Sequence, residues 1–148
     1  MAHAKKIPFD TTLMVRDCCL CLHMQRAARN LARIFDEALR PLDLTNGQFS
    51  LLMSLNRPHP PAMKDVSTLL AMDRTTLTAA LKPLERRGLV SIAQDPDDKR
   101  SRLLSLTPDG HRLLAEAFPI WQRTHTEVEA QLSSSEVDRL RRQLRALS

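Results

Sequence analysis

Residues 95–110 read DPDDKRSRLLSLTPDG, and the first eight of them hold Asp95, Asp97, Asp98, Lys99, Arg100 and Arg102 before the chain turns abruptly apolar. The runs on either side, LVSIAQ (89–94) and LLSLT (103–107), are short and β-compatible. Together they predict a hairpin with a doubly charged tip. On the C-terminal side, Thr107 and Pro108 form an N-cap and first-turn pair for a helix on which Leu114, Ala117, Trp121, Thr124 and Val128 share a face, bent at Pro119. On the N-terminal side, Gly88 stops a helix that Asp73 opens as N-cap. Pro83 lies inside that helix and should bend it.

Working outward, Val66, Leu69 and Leu70 mark a short helix just before the Asp73 cap, and NRPHPP (56–61) breaks the chain ahead of it. Thr45 with Gln48 three residues later is a capping box that starts a helix running through Leu55. From Asp17 to Leu42, Leu31, Phe35, Ala38 and Leu42 recur at helical spacing while Arg26, Arg29, Arg33 and Arg40 fill polar faces, which predicts a long first helix. At the other end, Ser133 and Glu136 repeat the capping box, and Val137, Leu140, Leu144 and Leu147 form a narrow seam suited to a partner helix.

Two short helices joined by a tight turn and followed by a hairpin describe a winged helix-turn-helix. The expected fold is therefore mainly α with a small β-hairpin wing. Residues 1–42 form an N-terminal helix belonging to a dimerisation region, residues 43–108 a DNA-binding unit and residues 109–148 C-terminal dimerisation helices.

With 148 residues, 43% of them hydrophobic, the chain is long enough for one cored domain. It has no 18-residue apolar run. MAHAKKIPFD lacks an apolar stretch behind its lysines, so the expectation is a cytoplasmic protein without membrane contact. The net charge of +5 favours an acidic partner such as nucleic acid. That excess is not in a tail: residues 1–42 carry seven Lys or Arg against four acids and residues 64–102 eight against six, while residues 103–148 balance at six each. A Ser-His-Asp order, a phosphate-cradling Gly-rich loop and paired His metal ligands are all missing, and three glycines leave little room for backbone cradles, so an enzyme is not expected. Neither a metal nor any other cofactor is implied.

A recognition helix sets its N-terminal side chains against base edges in the major groove. Here that turn offers Arg74, Thr75, Thr76 and Thr78. Lys82, Arg86 and Arg87 follow, where phosphate contacts and simple solvation are both open readings. At the hairpin tip, Lys99, Arg100 and Arg102 are placed for phosphates or a narrow minor groove, with nearby carboxylates holding the guanidinium groups extended. Taken alone, such a tip is also ordinary solvated surface.

LTNGQFSLLMSL, DRTTLTAALKPLERRGLV and DPDDKRSRLLSLTPDG resemble the second helix, recognition helix and wing of MarR-type transcriptional regulators. The resemblance extends over nearly the whole chain. It places the family's Asp-x-Arg on Asp98 and Arg100, with Arg100 entering the minor groove and Asp98 orienting it. The apolar seams of the first and last helices have only each other and a second chain to pack on, which predicts a homodimer whose paired recognition helices meet an inverted-repeat operator in double-stranded DNA; the expected outcome is repression of transcription. One departure is Ala71, at the turn where helix-turn-helix units often place Gly in a left-handed conformation; Ala there costs about 1 kcal/mol. A winged helix that contacts only other proteins is the reading of another class, and it predicts weak, salt-insensitive DNA binding.

DCCLCLHMQRAAR (17–29) raises a further question. Cys18 and Cys21 share a helical face, as do Cys19 and His23, so redox or metal chemistry is allowed by spacing. The plainer reading takes the cysteines as small core or interface hydrophobes. The peroxide-sensing MarR subgroup resembles this stretch in a Leu-Cys pair that falls on Leu20 and Cys21, which makes Cys21 the redox candidate. That subgroup holds its thiol with tyrosines, whereas Gln25 and Phe35 stand in those places here, leaving His23 or Arg26 to substitute. More commonly the family's resemblance implies release of DNA by a small aromatic or anionic ligand held between the dimerisation helices and the DNA-reading lobe. His23, Arg26, Phe49, Met53 and Trp121 lie on the helices that would line such a cleft. His23 on its own is equally an ordinary hydrogen-bonded residue.

Overall fold

The computed structural model describes residues 5–148; residues 1–4, counted above with the N-terminal dimerisation region, lie outside the described residues. Seven helices and one hairpin follow in the order α1 (Phe9–Cys18), α2 (Leu20–Leu39), a 3-10 turn (Arg40–Leu42), α3 (Asn46–Ser54), α4 (Met63–Leu70), α5 (Arg74–Arg86), β1 (Val90–Gln94), β2 (Arg102–Leu106), α6 (Pro108–Glu129) and α7 (Ser134–Ala146).

The first helix departs from expectation. A separate helix, α1, precedes it, and the chain breaks at Cys19, which is extended (φ −71°, ψ 107°) and accepts the Leu22 N–H on its sulfur. α1 buries none of its residues, so apolar periodicity carried no sign of it. α2 stops at Leu39 because Pro41 has no N–H to continue the ladder. Asp43 then turns the chain in the left-handed region, φ 53°.

The interior helix starts are where local hydrogen bonding puts them. Thr45 and Gln48 cap each other's backbone at 3.1 Å. Asp73 accepts the Thr76 N–H at 2.7 Å, and Thr107 accepts that of Gly110 at 3.0 Å. Ala71 does adopt the left-handed turn, at φ 52° and ψ 40°. Gly88 does so too (φ 69°), closing α5, and neither Pro83 nor Pro119 interrupts its helix.

One core unites the reading lobe. Leu77, Leu81 and Leu84 of α5, spaced by four and three, are fully buried against Leu52 of α3, Val66 of α4 and Leu104 of β2. At about 25 cal/mol per Å² of apolar surface, burying each leucine contributes about 1.5–3 kcal/mol, so the lobe rests on this cluster and not on any surface ion pair. The hairpin pairs Val90 with Leu106 and Gln94 with Arg102. Its free edge is met by the end of the NRPHPP loop, where the Pro61 carbonyl accepts the Leu104 N–H at 2.9 Å. Leu39 of α2 and Leu114 and Ala117 of α6 extend the core toward the terminal helices.

Those terminal helices are only partly covered. Phe9, Met14 and Val15 on α1, Leu140 and Leu144 on α7 and Leu147 at its C-cap are exposed, the last at 63%. Among the described residues no helix is long and apolar enough to cross a membrane.

Candidate nucleic-acid interface

α5 presents its first turn outward because the capping carboxylate of Asp73 fixes where the helix begins. The Thr76 N–H and hydroxyl both donate to that carboxylate and hold its pKa below the usual value. Thr78 donates its hydroxyl to the Arg74 carbonyl. The Thr76 and Thr78 hydroxyl protons are thus committed within the chain, leaving their oxygens to accept and their methyls to pack. Arg74 and Thr75 are exposed, with no side-chain hydrogen bond among the described residues. Lys82 stands a turn further on, also exposed.

The wing answers the question its carboxylates raised. They fold the loop; they do not brace the arginines. Asp98 accepts the backbone N–H of Arg100 at 3.0 Å, and Asp95 that of Asp97 at 2.9 Å. Among the described residues, no ion pair joins any wing carboxylate to Lys99, Arg100 or Arg102. The expectation that carboxylates hold the guanidinium groups extended is corrected accordingly: Asp98 acts on the Arg100 main chain. Arg102 instead leans back on the Lys99 and Ser101 carbonyls.

The reading helix and the wing meet in a 310 Å³ cleft where Arg74 of α5, Arg100 and Arg102 of the wing and Lys64 of α4 share the walls. Lys64 was not singled out from sequence, because nothing near it along the chain says which wall of the lobe it faces. Arg87 does not join this face. Its guanidinium donates to the Asp43 carbonyl at 2.6 Å and the Leu42 carbonyl at 3.4 Å, tying the end of α5 to the turn after α2.

The residues assigned to a ligand cleft divide in two. Phe49 is buried and stacks on Trp121 (ring centroids 5.8 Å), with Phe35 and Phe118 also against that indole; Met53 packs on the same core. His23 and Arg26 are exposed on α2, and the His23 Nδ1 meets the Cys19 carbonyl at 2.8 Å. Phe49, Met53 and Trp121 thus belong to one packed cluster, while His23 and Arg26 stand on the exposed surface of α2. His125, missed from sequence, is the imidazole that touches Trp121, at 4.6 Å and 21°. Burial, then the Arg141 charge, lowers its pKa.

All three cysteines are free thiols, and none belongs to the chain's own core: Cys18 and Cys21 are exposed and Cys19 caps α2. Cys21 accepts a hydrogen bond from the Gln25 amide at 3.1 Å; neither His23 nor Arg26 serves it. Among the described residues, no group of three or more His, Cys, Asp or Glu side chains is placed to hold a metal ion.

Comparison with known proteins adds four findings. The sequence model of the MarR family matches residues 44–101, which span α3 to the wing. The organic hydroperoxide resistance transcriptional regulator of Bacillus subtilis (strain 168) is 32% identical over 101 residues, 68% of this chain and 69% of that protein. The multiple antibiotic resistance protein MarR of Escherichia coli (strain K12) is 30% identical over 117 residues, 78% and 80% of the two chains. Among solved structures, the M. tuberculosis transcriptional regulator MosR in complex with DNA superposes with a TM-score of 0.80 at 36% identity, covering 87% of this chain and 92% of that one.

Proposed function

Since this chain belongs to the MarR family of DNA-binding transcriptional regulators, which are not enzymes, we propose that it represses transcription in the cytoplasm as a homodimer on an inverted-repeat operator. The observation that carries the reading is the open, cationic face shared by the first turn of α5 and the wing, where among the described residues Lys64, Arg74, Lys82, Lys99, Arg100 and Arg102 have no ion-pair partner. Arg74, Thr75, Thr76 and Thr78 face base edges in the major groove, and Lys82 tracks the phosphates. Arg100 enters the minor groove from a loop that Asp98 folds, flanked by Lys99 and Arg102. Exposed leucines on α7 and apolar residues on α1 supply the surface that a second copy covers, placing two reading helices about one helical turn of DNA apart.

Selection of duplexes from a random-sequence pool, followed by binding measurements across ionic strength, tests this. A dimer making 6–10 phosphate contacts loses about 10³–10⁵ in affinity between 50 and 200 mM salt. Arg100→Ala weakens every sequence that shares the minor-groove feature, whereas Arg74→Ala relaxes preference at one base pair by about 1–3 kcal/mol. Flat salt dependence supports the protein-contact module instead.

Release by a small aromatic or anionic ligand belongs to the same reading. A ligand that binds better to a spacing of the reading helices unable to fit both half-sites lowers affinity by its differential binding energy. The half-buried ring of Trp121, beside His125, is the aromatic surface that favours such a ligand. A second reading rests on Cys21: an exposed thiol with the Gln25 amide donating to its sulfur fits an oxidant sensor. Hydroperoxide should release DNA from the parent and not from Cys21→Ser; release that survives the substitution removes Cys21 as the switch.

A further inference from the structure

A 440 Å³ cleft separates the turn after α2, with Asp36, Asp43 and Thr45 on its wall, from Pro83 and the C-cap Arg87 of α5. Arg87 bridges it: the guanidinium donates to the Asp43 carbonyl at 2.6 Å and to the Leu42 carbonyl at 3.4 Å. No backbone N–H among the described residues donates to either carbonyl, so Arg87 supplies the partner that each otherwise lacks within the chain. The turn it grips is stiff. Pro41 fixes one φ, Asp43 is held left-handed at φ 53°, and the Leu44 N–H returns to the Leu39 carbonyl at 3.4 Å. The Asn46 N–H donates to the Asp36 carboxylate at 2.6 Å, lashing the start of α3 to α2. Arg87 therefore holds a block continuous with α2. Its own helix packs on α4 and β1, whereas α2 packs on α3 and α6. Along the 13 residues of α5, at about 1.5 Å each, Arg87 stands roughly 20 Å from Arg74, at the opposite end from the turn that reads bases. Leu77, Leu81 and Leu84 seat one side of that helix in the core, and Arg87 secures its end.

We propose that Arg87 is a positioning residue: its two hydrogen bonds fix the angle of the reading helix α5 against the dimerisation helix α2, and so set the half-site spacing that the protein accepts. The inference rests on the homodimeric DNA-binding reading above and adds a determinant of spacing which that reading left to the contacts between copies. In a two-fold dimer, the separation of the reading helices depends on how each α5 sits against the helices that clasp the two chains. A tilt of α5 therefore enters twice. A lobe braced at Arg87 accepts one separation, and a lobe free to rock about its buried leucines accepts several. Arginine suits the task because its planar fork reaches two carbonyls at once, which a lysine ammonium does less well.

The test uses the full-length protein and a duplex it selects from a random-sequence pool, together with versions carrying one base pair more or fewer between the half-sites. One base pair moves a half-site by about 3.4 Å and turns it by about 35°. The parent should bind the selected spacing best. Arg87→Met, which keeps a stem and removes the donors, should narrow the ratio of selected-spacing to altered-spacing affinity by about two- to thirtyfold, the range for losing one exposed charged contact in each of two subunits. The slope of log affinity against log salt should stay at the parent's value, because Arg87 serves carbonyls and not phosphates. Arg87→Lys should recover part of the ratio. Arg86→Met, which removes the neighbouring exposed charge, should keep the parent's ratio. An unchanged ratio in Arg87→Met overturns the proposal. If the slope also becomes shallower by about 0.9 per subunit, the residue belongs to a phosphate instead. Equal weakening at every spacing with a lower thermal midpoint marks a merely structural tie and overturns it too, as does a ratio that narrows as much in Arg86→Met. A parent that selects no duplex, or only a single half-site, refutes the dimeric DNA reading itself, a result distinct from failure of the Arg87 assignment.

Discussion

Gly110 lies in the first turn of α6, and an ideal Cβ built on it would stand 2.1 Å from the Leu89 carbonyl oxygen and 3.1 Å from its carbon. Ordinary contacts begin about 1 Å further out. The obstruction is backbone, so it cannot rotate away; α6 or the base of the hairpin must move. The same carbonyl accepts the Thr107 N–H at 3.1 Å, and the Thr107 hydroxyl donates to the Gly88 carbonyl while capping α6. Gly110→Ala therefore strains a joint held by two hydrogen bonds. Overpacking of about 1–3 kcal/mol, with about 1 kcal/mol for each weakened hydrogen bond, outweighs the roughly 0.5–1 kcal/mol that alanine gains in a helix. The net loss is about 2–4.5 kcal/mol, a fall in melting midpoint of roughly 4–18 °C at about 2–4 °C per kcal/mol. The matched control is Gly47→Ala in α3, where the nearest atom to a new Cβ is 4.0 Å away, which should gain up to about 0.5–1 kcal/mol. Thermal unfolding followed by circular dichroism, at one protein concentration because the proposed dimer makes the midpoint concentration-dependent, compares the pair. Because the joint sets α6 against the wing, Gly110→Ala should also bind DNA more weakly at temperatures where it is still folded. A Gly110→Ala midpoint equal to or above the parent's would refute the argument.

Ala71→Gly should stabilise the chain. Relief of the left-handed backbone at φ 52° is worth about 1–2 kcal/mol and glycine's extra unfolded-state entropy takes back about 0.5–1, leaving a gain of about 0.5–1 kcal/mol in urea unfolding; a lower urea midpoint contradicts the turn geometry. His125 packs on Trp121 and Phe35, with its Nδ1 3.5 Å from Glu129, whose carboxylate Arg141 holds. Its folded pKa is lowered, so the unfolded chain binds the proton more readily, and the contribution is present above the unfolded value of about 6.5 and lost as pH falls below it. Stability should therefore drop between pH 7.5 and 5.5 in the parent and less in His125→Phe; equal slopes for the two proteins would remove His125 as the cause.

The parts of the fold that were legible in sequence are those set by hydrogen bonds reaching three or four residues. Thr45 with Gln48, Asp73, Thr107 and Ser133 with Glu136 each announce a helix start, and each does cap one. Two short β-compatible runs on either side of residues 95–101 marked the hairpin, and the turn forms at Ala71 although glycine is the residue expected there. Helix α1 and the break at Cys19 escaped because α1 buries nothing within this chain, so no apolar period betrays it. Of the residues that line the cleft between α5 and the wing, Arg74, Arg100 and Arg102 were legible because a motif fixes their order along the chain. Lys64 was not, since nothing near it in sequence says which wall of the lobe it faces.

By itself, then, the sequence determined the helix boundaries in the reading lobe, the wing and its charged tip, because these depend on neighbours along the chain. Tertiary structure decided the rest: that Arg87 bonds carbonyls 44 and 45 residues away instead of solvent, that Phe49 and Trp121 stack on each other, and that a lysine from α4 joins arginines from α5 and the wing. Those outcomes turn on how Leu77, Leu81 and Leu84 settle into the shared core, which sets the distance between elements that no local pattern encodes.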